Sequence, residues 1–211
     1  YQVLEKLEAQ SSIPIKRCPL EQNRGLGLAL QYGVLQCQYD VIARMDTDDI
    51  AVEDRFEQQF DLMEKENLDL LGGHIAEFID QPDEIVSYRR VPIKHEEIIA
   101  YQRMRSAFNH MTVMFKKEMV LKAGNYEDGL YMEDDLLWLN MISAGARTGN
   151  VDQILCKVRV GAGMFERRGG LRYLKLYRQA RQRMHARGQI SYGEYLKSVL
   201  IQVVVALCPG F

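Results

Sequence analysis

Strand-like and helix-like runs alternate along the first two-thirds of this chain, and that order restricts the fold more than any other feature. IPIKRC (13–18) alternates as a short strand does, and NRGLGLALQYGVLQC (23–37) carries Leu26, Leu30, Val34 and Cys37 at helical steps. DVIARM (40–45) reads as a buried strand. VEDRFEQQFDLMEKEN (52–67) reads as a helix with Phe56, Phe60 and Met63 on one face. LDLLGG (68–73) and HIAEFI (74–79) look like strands, KHEEIIAYQRMR (94–105) like a helix. HMTVMFKK (110–117) alternates like a strand and passes into a short helix ending at Gly124. EDDLLWLNMISAGA (133–146) has the acidic first turn, apolar stripe and late glycine of a helix, and RTGNVDQILCKVRVG (147–161) supplies one or two strands. The alternation predicts an α/β fold with a mixed, mainly parallel sheet flanked by helices.

From about residue 165 the chemistry changes. RRGGLRYLKLYRQARQRMHAR (167–187) holds eight Arg or Lys and no Asp or Glu. Leu174, Tyr177, Ala180 and Met184 fall on one side of its helical wheel, and Arg172, Lys175, Arg178 and Arg183 on the other. ISYGEYLKSVLIQVVVALC (190–208) follows as an apolar helix. The division expected is a core over 1–165 and a basic and apolar helical appendage over 166–211. The appendage reads as a solvated helix packed on the core or as a helix lying on anionic lipid. Nucleic acid is not an expected partner: the net charge is −2 and aromatic residues are not interleaved with the basic ones as stacking platforms. Four scattered cysteines fit a reducing compartment, and no apolar run reaches the length of a membrane span. The chain opens at Tyr1 in what reads as the end of a helix and stops abruptly after VLIQVVVALCPGF, so trimming at both ends is expected.

ARMDTDDI (43–50) gathers Asp46, Asp48 and Asp49 at a strand end, where ligands of open α/β sheets bind. Extended alternation would turn Asp46 and Asp48 to the same side. All-oxygen ligation suits Mg²⁺ or Mn²⁺, which bind through one or two carboxylates together with substrate phosphates. The plain alternative is a solvated turn capping the next helix. An EF-hand fails, because Ile50 and Ala51 occupy a ligand position and the invariant-glycine position. A haloacid-dehalogenase-type phosphatase would use Asp46 as nucleophile, but Ile50 and the place of the strand in the chain disfavour it. YMEDD (131–135) supplies a second carboxylate group at a helix start, read either as N-terminal capping or as a general base.

With NRGLGLALQYGV, VIARMDTDDI, NHMTVMFKKE and YMEDDLLWLNMISAG in this order and spacing, residues 10–170 resemble family 2 glycosyltransferases of the GT-A (Rossmann-like) fold, above all bacterial enzymes of surface polysaccharide synthesis. The resemblance implies an inverting hexosyltransferase. It would move sugar from a nucleoside-diphosphate sugar, a UDP-sugar first among them, to a saccharide or lipid-linked acceptor. Asp46 would face ribose and diphosphate, and Asp48 with Asp46 would hold Mn²⁺ or Mg²⁺. Asp134 would be the base, with Glu133 beside it. Asn23 and Arg24 would lie against the nucleotide, and His110 in the acceptor pocket. Arg159, Arg167 and Arg168 would reach the diphosphate from a closing loop. Lipid-linked acceptors imply a cytoplasmic protein, peripheral on the inner face of the membrane. Two strands that open the family's fold, one like SVIMPVYN and one ending in DDGS, are absent from these residues. A phosphatase using Asp46 and a non-catalytic scaffold remain as alternatives.

Overall fold

A run of apolar and small residues, Leu70–Phe78, is buried along almost its whole length and forms the central strand of the sheet. The computed structural model describes residues 2–127, 131–161 and 170–207. Its strands are β1 (Val41–Ala43), β2 (Ile50–Ala51), β3 (Leu70–Phe78), β4 (Ile85–Arg89), β5 (Met114–Lys116) and β6 (Thr148–Arg159). Its helices are α1 (Gln2–Gln10), α2 (Leu26–Gln36), α3 (Arg55–Glu66), α4 (His95–Gln102), α5 (Lys117–Lys122), α6 (Glu133–Ser143), α7 (Gly170–Ala186) and α8 (Tyr192–Leu207).

The sheet runs β1-β5-β3-β6-β2, with β4 paired to the far half of β3. It is a mixed sheet flanked by helices, as expected. Its parallel share is smaller than expected: β3 and β6 pair in parallel, and the other four pairings are antiparallel. The connections explain this, because a parallel neighbour needs a long crossover. β4 follows β3 through a short turn, and β5 runs between β1 and β3 against both. β1, β3 and β6 still point the same way.

Several local expectations shift. Residues 13–18 form no strand among the described residues; a strand needs a partner for its backbone groups, and none lies beside them. The two strands expected at 68–79 are one. Gly72 and Gly73 do not break it but permit close packing, since a Cβ on Gly72 would stand 2.9 Å from Asn150 Oδ1 and one on Gly73 would overlap the Leu155 side chain. The strand expected over 110–117 is short, because His110–Thr112 makes a 3-10 turn before β5. In α3 the aromatic face is outside: Phe56 is 58% and Phe60 47% exposed, while Arg55, Gln59 and Met63 are buried.

Trp138 of α6 is fully buried and packs against Phe108, Phe115 and Tyr126 in the main core. α6 also carries Leu136 and Leu139 outward to Met184 of α7 and to Ile190, forming a second cluster that docks the C-terminal hairpin. The expected apolar side of α7 does face inward, and Arg181 is buried on it. Arg181 donates from Nε to Ser198 Oγ of α8 at 3.0 Å and from Nη2 to the Arg103 carbonyl. Arg187 donates from Nη2 to Glu127 Oε2 at 2.9 Å. The division expected near residue 165 falls among residues outside the description.

Candidate active site

Beyond the carboxyl end of β1, the Arg44 N–H bonds the Val113 carbonyl at 2.9 Å, and the chain then turns tightly over Asp46–Asp49. The turn, not an extended run, sets the carboxylates, so Asp46 and Asp48 do not share a surface by alternation. Both Asp46 oxygens accept from the two terminal nitrogens of Arg44, a forked ion pair. Asp48 is exposed and makes no hydrogen bond or ion pair among the described residues. Asp49 is half-buried and accepts the Arg159 N–H at 3.1 Å. Burial, with the charges of Asp46 and Asp48 added, pushes its carboxyl up to about 6 against that hydrogen bond.

The buried polar face of α3 fixes this turn. Arg55 Nη2 donates to the Arg44 carbonyl at 2.7 Å, and Arg55 Nε to Gln59 Oε1 at 2.9 Å. Gln59 Nε2 in turn donates to the Thr112 carbonyl at 2.8 Å. One helix thus ties the acidic turn to the 3-10 turn that carries His110. Burial lowers the Arg55 pKa, and no carboxylate pairs with it among the described residues.

The second acidic stretch starts α6. Met132, just before it, has φ +73°, a left-handed conformation that costs a non-glycine residue of order 1–3 kcal/mol and clusters at functional sites. Glu133 is recessed, and burial followed by the Asp134 charge pushes its carboxyl up to about 7. Asp134 keeps a quarter of its side chain open to solvent, and burial raises its pKa. Asp135 points inward and accepts from Gln102 Nε2 at 2.8 Å; burial and then the Asp134 charge raise it too. The start of α2 closes on this point: a Cβ on Gly27 would lie 2.7 Å from the Glu127 carbonyl and 3.4 Å from Glu133 Cβ.

His110 joins the two stretches. Its Nε2 is 2.8 Å from the Tyr126 hydroxyl and its Nδ1 is 3.8 Å from Asp134 Oδ2. Burial, with the nearby Arg44 charge, pushes the imidazole down to about 3, so the ring is neutral. Arg44 bears electrostatically on His110, Tyr126, Glu133 and Asp134 while paired with Asp46, which makes it the charge the two motifs share.

The structure therefore brings Asp46, His110, Glu133 and Asp134 together, with Asp48 on the rim. Asn23 and Arg24 are exposed ahead of α2; the Asn23 Oδ1 accepts the Gly25 N–H at 3.0 Å, holding the loop that leads to Gly27. Arg159 does not reach the site by its side chain: the guanidinium lies over the Phe78 ring at 4.7 Å and donates to the carbonyls of Ile79 and Asp80. Arg167 and Arg168 lie outside the described residues. Arg44, Arg55, Gln59 and Tyr126 went unassigned in the sequence. A cleft of about 510 Å³ lined by Leu68, His95, Arg147 and Asn150 lies at the amino ends of β3 and β6, and neither the Asp46–Asp49 turn nor Glu133–Asp135 lines it.

The donor set suits a hard divalent cation held by one or two carboxylates, with Asp48 unengaged and Asp49 raised by burial first and by the charges of Asp46 and Asp48 after it. It is not a ready-made cage: no group of three or more metal-binding side chains is assembled among the described residues. Both Asp46 oxygens are already engaged by Arg44, which counts against Asp46 as a phosphorus nucleophile and leaves Asp48 as the open carboxylate for a cation.

The profile of "Glycosyl transferase family 2" matches residues 1–128. The chain is 45% identical over 169 residues to an "Uncharacterized glycosyltransferase" of Haemophilus influenzae, covering 80% of this chain and 62% of that protein. It is 42% identical over 164 residues to the "Amylovoran biosynthesis glycosyltransferase AmsE" of Erwinia amylovora, covering 77% and 61%. Against the Escherichia coli "UDP-Gal:alpha-D-GlcNAc-diphosphoundecaprenol beta-1,3-galactosyltransferase" identity is 34% over 196 residues, covering 92% and 71%. Solved structures with the same fold include the mannosyltransferase PcManGT of Pyrobaculum calidifontis with GDP-Man and Mn²⁺ (TM-score 0.62, 14% identity, covering 99% of this chain and 62% of that one). S. aureus TarS 1–349 with UDP-GlcNAc is another (TM-score 0.58, 14% identity, covering 85% and 52%). The chain belongs to glycosyl transferase family 2, and its fold is that of the GT-A enzymes. It spans about 62% and 61% of the lengths of the first two relatives.

Proposed function

We propose that the chain is the catalytic core of a metal-dependent, inverting glycosyltransferase. It would move a hexose from a nucleoside-diphosphate sugar, a UDP-sugar first among candidates, to a hydroxyl of a saccharide or lipid-linked acceptor in surface polysaccharide synthesis. The observation that carries this reading is the meeting of two acidic motifs around Arg44: the Asp46 turn on one side, and Asp134 with its raised pKa on the other. Relatives named for amylovoran synthesis and for a galactosyl transfer, and neighbours holding UDP-GlcNAc and GDP-Man, support the donor and pathway class.

Asp134 takes the proton of the acceptor hydroxyl. The acceptor oxygen bonds to the anomeric carbon as the bond from that carbon to the diphosphate oxygen breaks, which inverts the centre. A base with a raised pKa and an open face suits that step. Glu133 lines the acceptor side. Asp48, with Asp46 beside it, would hold Mn²⁺ or Mg²⁺, which offsets charge on the leaving diphosphate when bound. Arg24 and Asn23, exposed ahead of α2, would contact the nucleotide, and Arg167 and Arg168 would reach the diphosphate.

A lipid-linked acceptor places the protein at the cytoplasmic face of the membrane. Supporting this, α8 exposes Leu200, Ile201, Val204 and Leu207, and α7 exposes Arg172, Lys175 and Arg178. No helix among the described residues is long and apolar enough to cross a membrane. Flotation of the protein with anionic liposomes tests the attachment; equal partitioning with Leu200, Ile201 and Val204 replaced by serine counts against it. The function itself is tested by screening nucleotide sugars with Mn²⁺ on the full-length protein, by thermal shift and by release of nucleoside diphosphate. If no donor shifts the protein, a non-catalytic scaffold is the better reading.

A further inference from the structure

We propose that Tyr126 and His110 form a positioning pair that sets the orientation and proton affinity of Asp134. The proposal rests on Asp134 being the base. Tyr126 is itself fixed from three directions. Its N–H donates to Asn125 Oδ1 at 2.8 Å, its carbonyl accepts from Gln31 Nε2 of α2 at 2.6 Å, and its ring packs edge-on against Trp138. His110 lies between these groups, edge-on to Trp138 with ring centroids 5.7 Å apart. The phenol is 1% exposed and keeps its proton, since burial raises its pKa.

A neutral imidazole has one N–H and one lone pair, and its neighbours choose which nitrogen carries which. The Tyr126 hydroxyl, 2.8 Å from Nε2, can donate or accept there, and the carboxylate facing Nδ1 favours the tautomer in which the hydroxyl donates and Nε2 accepts. The ring proton then sits on Nδ1, the nitrogen that faces Asp134 Oδ2 at 3.8 Å. That separation is longer than a hydrogen bond, and such contacts tighten when substrate binds. One Asp134 oxygen is thereby held toward His110, and the other is left for the acceptor hydroxyl. Because the ring is uncharged, the carboxylate is oriented without the loss of basicity that a cation at this place would cause. Arg44, Arg89, Glu133 and Asp135 also act on the charge of Asp134 and are unchanged in the variants below.

The test is steady-state kinetics of the full-length enzyme across pH with Tyr126→Phe, His110→Leu, His110→Gln and Asp134→Asn. Tyr126→Phe removes one hydroxyl from beside His110 Nε2 and almost no volume from the core. It is expected to lower kcat about tenfold with donor KM unchanged, and to move the acid limb of the kcat profile to higher pH as Asp134 loses its donor. His110→Leu should lower kcat further, and His110→Gln, which restores an N–H, should recover most of the loss. If Tyr126→Phe and His110→Leu leave kcat per folded molecule and the acid limb unchanged while Asp134→Asn is inactive, the positioning pair is wrong and the base assignment stands. If Asp134→Asn turns over normally, the base assignment itself fails.

Discussion

Asp134 hangs from a helix whose inner face is packed around Trp138, with His110 beside it and Asp135 anchored to Gln102 behind it. Asp48 stands on an exposed turn with no side-chain partner among the described residues. The half of the site proposed to handle a proton is built before any ligand arrives. The half that would handle a diphosphate is held by the Arg44 carbonyl on Arg55, the Arg44–Asp46 ion pair and the Arg159 N–H on Asp49, and Asp48 alone is left open to a cation. The contrast fits their tasks, since a base must be preorganised in direction and pKa, whereas Mn²⁺ or Mg²⁺ brings much of its own organisation together with the phosphates.

Four changes would break or sharpen that contrast. The largest effect is expected from Asp134→Asn, which should cut kcat by about 10²–10⁴-fold while a donor still shifts the melting temperature; loss of donor binding instead would mean that the two halves are one. Asp48→Asn should do the reverse, abolishing the Mn²⁺-dependent thermal shift by nucleotide sugar and lowering kcat/KM on the order of 10²-fold. Arg55→Met leaves the Arg44 carbonyl and Gln59 Oε1 without their donor, at a cost of roughly 1–3 kcal/mol, read by denaturant unfolding. If stability fell yet Mn²⁺ affinity did not, the turn would be held by something other than α3. The smallest effect is that of Glu133→Gln. Its carboxyl has a folded-state pKa of about 7 against an ordinary 4.5, so ionising it costs the folded protein stability as pH rises between those values. The variant should melt a few degrees higher at pH 8, and the gap should close below pH 4.5; a constant gap across pH would show that the carboxyl is not desolvated.

The same contrast governs what was legible beforehand. α6 could be read from its acidic first turn and apolar stripe, because helix-dipole and packing rules act within one segment. The acidic turn could be recognised, but not its shape: Arg44 stands two residues before Asp46, and nothing local says that it will close on that carboxylate. α3 misled for a physical reason. Phe56 and Phe60 outrank Arg55 and Gln59 on any hydrophobic scale, yet the polar pair is inside because it meets the carbonyls of Arg44 and Thr112, and a carbonyl has no signature in sequence. The Tyr126–His110 contact likewise needed the fold, since it joins the end of one loop to a 3-10 turn. β4 left no signal that the alternation could use, being exposed at its three middle residues and buried at none.

Arg181 of α7 and Arg187 just after it carry a consequence for how this chain can be cut or extended. Arg187 grips Glu127, one residue after Tyr126, and Arg181 reaches the carbonyl of Arg103 at the end of α4. The hairpin therefore fastens like a buckle over the segment that holds the phenol in place. A shortened protein ending ahead of α7 would bare Leu136 and Leu139 and unclasp Glu127, so the proposed positioning of Tyr126 would degrade along with solubility. An affinity tag or a fused partner, by the same logic, belongs beyond α8 and not between the helices.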